Sequence, residues 1–258
     1  MTNACRSCGA PASGESAACD FCGASVAYAL SGLGLLRAGK PTLDRIFMEY
    51  KKKLEENPKN ADAHFGMGAY YAKRELYKEA SDHLRKAEKI TPISGEIHYL
   101  LAIVYAEWRG WTNVMVKKHA ERAKKLQPKM TEAVSLLHVH NGIQTSRTAK
   151  TKADLPKALD LFEKARLLGV KAHLKHIYFF SAETLERANR PEDALAMYRA
   201  ARDFGMKDKA KVYVRLAMIL KNQGKLRLAL KNLEQAHNKE PDNTAVGRLI
   251  SSIKLQAS

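Results

Sequence analysis

Residues 61–94 read ADAHFGMGAYYAKRELYKEASDHLRKAEKITPIS, and the spacing of small and large apolar residues in this stretch decides the fold. Met67, Gly68 and Tyr71 share one face of a first helix; Ala80, Leu84 and Ala87 share one face of a second, which Pro92 closes. Gly68 and Ala80 are small enough for two antiparallel helices to approach closely, while Tyr71 and Leu84 are large enough to fill the seam. Prolines recur at matching places. Pro58, Pro92 and Pro128 are separated by 34 and 36 residues, and Pro241 follows further on. A fixed period near 34 residues marks stacked helical hairpins.

With those residues in place, the stretch resembles a tetratricopeptide repeat. Met67, Gly68 and Tyr71 occupy the L-G-x2-Y slots, Ala80, Leu84 and Ala87 the A-x3-F-x2-A slots, and His64 stands where the motif has tryptophan. The skeleton recurs with variation. Leu101, Ala102 and Tyr105 lead to Val116, Ala120, Ala123 and Pro128, with two extra residues near Trp108 and Trp111. A third unit starts at Val134, Leu137 and His138, is interrupted by the polar stretch 142–156 (GIQTSRTAKTKADLP), and resumes at Ala158, Phe162 and Ala165; with Arg147, Lys150 and Lys152 against Asp154, that stretch reads as a longer loop or helical extension, or as a basic finger at the groove edge. A fourth holds Tyr178, Ala182, Leu185, Ala194, Tyr198 and Ala201; a fifth holds Tyr213, Leu216, Ala217, Leu220, Ala229, Leu233, Ala236 and Pro241. Ile46, Tyr50 and Pro58 suit a leading half repeat and residues 244–256 a capping helix, as stacked units require at their ends. The resemblance implies an all-α, right-handed solenoid of about five repeats over residues 42–258.

Members of that family bind ligands on the concave face lined by the first helix of each repeat. Counting along those helices, the expected inward residues are Phe65, Ala69 and Lys73; Tyr99, Ile103 and Glu107; Ser135 and Val139; Phe179, Glu183 and Arg187; and Val214, Met218 and Lys221. Such a lining suits a protein or peptide segment with aliphatic anchors. Relatives that grip a chaperone's carboxylate tail place lysine and asparagine where Phe65, Ala69 and Tyr99 stand here, which argues against that activity.

The head of the chain is different. Cys5/Cys8 and Cys19/Cys22 form two C-x2-C pairs separated by ten residues, each followed by a glycine (Gly9, Gly23), and the chain has no other cysteine. Two such turns facing each other close a tetrahedral four-sulfur shell that selects zinc, with iron second, and leave no open position, so the metal is structural. A redox motif would sit at a helix start within alternating strands and helices, which this region lacks. Disulfides are disfavoured in a reducing compartment. Residues 5–23 resemble the short zinc ribbons at the N-termini of many bacterial proteins. The expected organisation is a zinc ribbon at 1–24, a linker or packing segment at 25–41, and the repeats beyond.

Charge is divided between head and body. The net charge is +17, and residues 1–40 carry +1 of it, leaving +16 for the repeats. Arg85, Lys86 and Lys89, then Lys117, Lys118, Arg122, Lys124 and Lys125, crowd second helices, with Lys51 to Lys53 before them; Lys171, Lys175, Lys207, Lys209 and Lys211 gather at later turns. Two partner classes follow: a protein segment held in the groove, or nucleic acid or the ribosome held by basic helix faces. An anionic membrane surface is a third. Trp108 and Trp111 sit at a repeat turn, where packing is the expected role, and His138, His140, His173 and His176 are read as seam or surface residues. No glycine-rich phosphate loop, nucleophile elbow or H-E-x-x-H helix occurs, so the chain reads as a non-enzymatic adaptor with no small-molecule substrate. Residues 26–36 contain two glycines and are too short to span a bilayer, and no signal-like start precedes them, so a cytoplasmic protein is expected. Metal analysis of the full-length chain is expected to find one zinc held by Cys5, Cys8, Cys19 and Cys22, and replacing Cys19 and Cys22 by serine is expected to remove it.

Overall fold

In the N-terminal half a proline past a helix end and a polar cap before the next helix mark where one hairpin gives way to the next. The computed structural model describes residues 40–206 and 209–257; the four cysteines, most of the expected linker, and Lys207 of the basic set lie outside them. Twelve α-helices and no strand occur among the described residues. The chain divides into two compact units, separated between Ala133 and Val134.

The first unit begins with α1 (Lys40–Glu56), which starts two residues before the expected boundary. Two hairpins follow: α2 (Ala61–Lys73) with α3 (Tyr77–Ile90), and α4 (Gly95–Arg109) with α5 (Val114–Leu126). Pro58, Pro92 and Pro128 each stand two residues beyond a helix end, at Glu56, Ile90 and Leu126, where a helix cannot continue. The next helices start on side-chain caps: the Ala63 N–H donates to Asn60 Oδ1 at 2.9 Å and the Met115 N–H to Asn113 Oδ1 at 2.9 Å.

Within the first hairpin Ala80, Leu84 and Ala87 are fully buried. A Cβ added at Gly68 would lie 2.5 Å from Leu84 Cγ, so the absence of a side chain there sets how closely α2 and α3 pack. Burial of the Leu84 side chain stabilises this seam by roughly 2–3 kcal/mol.

The second unit holds α6 (Thr131–Thr148), which runs in from the first unit, then α7 (Leu155–Leu167), α8 (Lys171–Arg187), α9 (Pro191–Ala201), α10 (Ala210–Asn222), α11 (Leu226–Lys239) and α12 (Thr244–Ala257). Its core joins Phe179, Tyr198, Leu216, Leu233, Val246 and Ile253. The polar stretch 142–156 extends α6 by seven residues to Thr148, and a one-turn 3-10 helix (Lys152–Asp154) then leads into α7. Gly142 allows that extension: a Cβ there would lie 2.7 Å from the buried ring of Phe162 on α7. Turns between paired helices need positive φ, supplied by Gly224 at 72° and, without glycine, by Asn189 at 60°.

Gly247 on α12 has open space where a Cβ would go. Gly247→Ala is therefore expected to stabilise the protein by about 0.5–1 kcal/mol through helix propensity, and Gly142→Ala to destabilise it by about 1–3 kcal/mol through overpacking. Denaturant melts of the two variants check this opposition of sign.

Candidate functional site

The first helices of the second unit, α6, α8 and α10, line a cleft of about 540 Å³. Its apolar surface comes from Ile143, Phe162 and Phe180, and its polar surface from Ser146, Arg147, Glu183, Thr184, Glu186, Arg187 and Arg215. Ser146 and Arg147 reach it because α6 is extended past Gly142.

Most of the charges already have partners. The Arg187 guanidinium donates to the Ser146 carbonyl, and its Nη2 to the Ala149 carbonyl at 3.3 Å. A cation thus closes the C-terminal end of α6, where carbonyls lack helical partners and the helix dipole is negative. Thr184 Oγ1 and Ser146 Oγ hydrogen bond at 2.9 Å, tying α8 to the same end. Arg215 on α10 lies 3.3 Å from Glu183 and 3.9 Å from Glu186. The buried Tyr198 hydroxyl donates to Glu186, and burial, with that hydrogen bond, pushes the phenol well above its usual range. Desolvation likewise raises the Glu183 carboxyl above its ordinary value, outweighing the opposing pull of Arg215.

The expected inward residues separate by burial. Phe65, Ala69, Tyr99, Ser135, Val139 and Phe179 are buried; Ile103, Glu107, Glu183, Val214 and Lys221 are half-buried; Lys73, Arg187 and Met218 are exposed. Phe179 meets Tyr198 edge-on, with ring centroids 5.4 Å apart, and Lys211 Nζ lies 4.6 Å from its ring centroid. The structure brings Glu183 and Arg187 together in the cleft with Arg147 of the 142–156 stretch, and adds Phe180, Glu186 and Arg215, which the sequence reading did not single out. Helix period alone could have flagged Phe180, which stands three residues before Glu183 and seven before Arg187 on one face of α8.

Other singled-out residues fall as follows. Trp111 is buried and half-buried Trp108 stacks on Tyr105, with the Arg109 guanidinium 4.0 Å from the Trp108 ring centroid. His173 is buried with Nδ1 2.9 Å from Ser135 Oγ, and His140 and His176 are buried as well. Lys117, Lys118, Arg122, Lys124 and Lys125 are all exposed on α5.

The first unit contains a polar cluster that the sequence reading missed. Glu88 on α3, His98 on α4 and His119 on α5 converge, with both imidazoles buried. Burial, with His98 and Lys118 nearby, lowers His119 to about 4, so its ring is neutral. Ten and 21 residues separate the three along the chain, so no short motif announces them; the signal was the Pro-x5-His spacing shared by Pro58/His64 and Pro92/His98.

Several solved structures share this arrangement of hairpins. TTC0263, a thermophilic TPR protein of Thermus thermophilus, is similar with a TM-score of 0.53 and 16% identity, covering 76% of this chain and 100% of its own. The fold is that of tetratricopeptide-repeat proteins. PilW, a type IV pilus biogenesis factor, is similar at TM-score 0.55 and 15% identity over 81% of this chain and 91% of its own. A chain of the APC/C hetero-tetramer Cut9-Hcn1 gives 0.60 and 14%, covering 85% of this chain and 47% of its own. No family model and no curated protein matches the sequence. At these identities the likeness is one of fold, and His64 in place of tryptophan is one of the departures that separate this sequence from the tetratricopeptide pattern.

Folding disfavours the Glu183 carboxylate, so its cost is fully present at neutral pH and vanishes once acid protonates the group in both folded and unfolded chains. Glu183→Gln is expected to raise the melting temperature at about pH 7 and to leave it unchanged at about pH 3.5. A lower melting temperature at neutral pH would show that the Arg215 contact outweighs desolvation.

Proposed function

We propose that the protein is a non-enzymatic interaction scaffold that binds a peptide segment of a partner protein along the first helices of its repeats. The observation that carries this reading is the cleft on α6, α8 and α10. An apolar floor beside a half-buried carboxylate suits a peptide that places an apolar side chain against Ile143 and Phe180 and a donor or basic group at Glu183. A chain of similar fold stands in the APC/C hetero-tetramer Cut9-Hcn1, which supports an assembly role for such hairpin stacks. Of the expected groove residues, Ile103, Lys73, Arg187, Met218 and Lys221 keep exposed surface for a ligand. In this reading Cys5, Cys8, Cys19 and Cys22 hold one structural zinc, and the ribbon they form supplies a second local contact or caps the first repeat.

The row of exposed cations on α5 supports a second reading, in which phosphates of a nucleic acid bind that face. Anionic lipid would use the same charge; among the described residues no helix is long and apolar enough to cross a membrane.

A photo-crosslinking residue placed at Phe180, and separately at Lys124 on α5, distinguishes the readings in the native cell. The scaffold reading expects protein crosslinks from position 180, a recombinant peptide of that partner binding the full-length chain, and a loss of at least about tenfold in affinity on Phe180→Ala. Crosslinks confined to position 124 and to RNA or DNA would replace it with the nucleic-acid reading.

A further inference from the structure

The imidazoles of the second hairpin face each other with a geometry that hydrogen bonding leaves incomplete. His98 Nε2 lies 3.2 Å from the Pro92 carbonyl, which can only accept, so Nε2 carries the proton and Nδ1 presents a lone pair. Two further groups converge on that lone pair: His119 Nδ1 at 3.2 Å and Glu88 Oε1 at 3.4 Å, with 3.8 Å between those two atoms.

The preceding hairpin is an internal control. His64 Nδ1 and His83 Nδ1 are 3.1 Å apart, and His64 Nε2 lies 3.0 Å from the Pro58 carbonyl, the same pair in the same frame. Leu54 stands 34 residues before Glu88, at the equivalent position. A single N–H···N proton accounts for that first pair. In the second hairpin, with both rings neutral, the same proton would leave the carboxylate of Glu88 facing the acceptor nitrogen of His98 at 3.4 Å, acceptor against acceptor. A proton on His98 Nδ1 answers this by making that ring an imidazolium; a metal ion between the three atoms answers it with both rings neutral.

We propose that Glu88 Oε1, His98 Nδ1 and His119 Nδ1 bind a divalent transition-metal ion, zinc in particular. Ligands about 2.0–2.1 Å from a tetrahedral zinc lie about 3.3 Å from one another, and the triangle of 3.2, 3.4 and 3.8 Å matches that spacing. Two imidazoles and one carboxylate suit zinc and its first-row neighbours rather than magnesium or calcium. The Pro92 carbonyl acts on the metal-facing His98 from outside, holding its tautomer and orientation. Three helices, α3, α4 and α5, supply the ligands, so the ion ties the first hairpin to the second.

Glu88, His98 and His119 line a cleft of about 390 Å³ whose rim includes Lys118, Glu121, Arg122 and Lys125, so a fourth ligand could reach the ion from there. Those three cations oppose a metal ion. Their side chains are exposed and screened, whereas the two imidazoles and the carboxylate are in direct contact distance, so the contact terms dominate. The same cations favour hydroxide or a carboxylate over a neutral group as the fourth ligand.

Cobalt(II) is the probe, because thiolate ligands give it intense charge-transfer absorption and a nitrogen–oxygen site gives it only weak visible bands. The full-length chain is titrated as wild type and as Glu88→Gln, His119→Gln and His64→Gln, with helical circular dichroism confirming each fold. Wild type and His64→Gln are expected to bind one more equivalent than the other two, and that equivalent carries no thiolate band. The difference of one holds whether or not the cysteines bind metal. Equal uptake by all four chains would overturn the proposal, as would loss of the same equivalent in His64→Gln. Glu88→Gln is nearly isosteric on a half-exposed side chain, so a fold-preserving variant is available for the comparison.

Discussion

A glycine facing a large side chain across a pair of helices is the constraint on which the packing of the hairpins depends. Gly68 against Leu84 and Gly142 against Phe162 show it twice, in the first unit and in the second. Close approach buries the large residue completely, and burial of such seams offsets the entropy of ordering long, strongly charged helices. The second helices of four hairpins share an Ala-x3-Leu/Phe/Tyr-x2-Ala face, and α5 carries Val116, Ala120 and Ala123 in its place, so the buried seam of each rests on a few residues. The cations are left on the opposite face, exposed to solvent.

Histidine at the tryptophan position changes how successive units are joined. Tryptophan would fill space; His64 and His98 each reach back six residues to a proline carbonyl and across to a second imidazole. A proline has no N–H, but its carbonyl still needs a donor, and the imidazole supplies it. The loop between repeats is thereby fixed to the hairpin that follows it. Where Glu88 joins the pair, the joint acquires a ligand set; where Leu54 stands, it stays a hydrogen-bonded joint.

The hairpins were legible in the sequence because their determinants are local: a proline two residues past a helix end, a glycine opposite a leucine, an alanine every seven residues. The cleft was less legible. Phe65, Tyr99, Val139 and Phe179 share a helical face with groove positions, and register cannot tell a side chain that packs against the next helix from one that faces a ligand. Ser146 and Arg147 reach the cleft only because α6 continues through a polar stretch that lacks apolar periodicity and starts on Gly142, a poor helix former, so its sequence left a loop, a helical extension and a basic finger open. Glu88, His98 and His119 come together through packing of three helices, a long-range event of which the Pro-x5-His spacing marks His98 alone. The cysteine pairs were the most specific local signal, and they lie outside the described residues.

The most direct test of the seam is a double-mutant cycle on Gly68→Ala and Leu84→Ala, read by denaturant unfolding of the full-length chain. Close packing predicts that Gly68→Ala is destabilising in the wild-type background and neutral or stabilising once Leu84 is truncated, with a coupling of about 0.5–3 kcal/mol. Equal effects of Gly68→Ala in the two backgrounds, to within about 0.5 kcal/mol, would show that the two residues do not meet and would contradict the account.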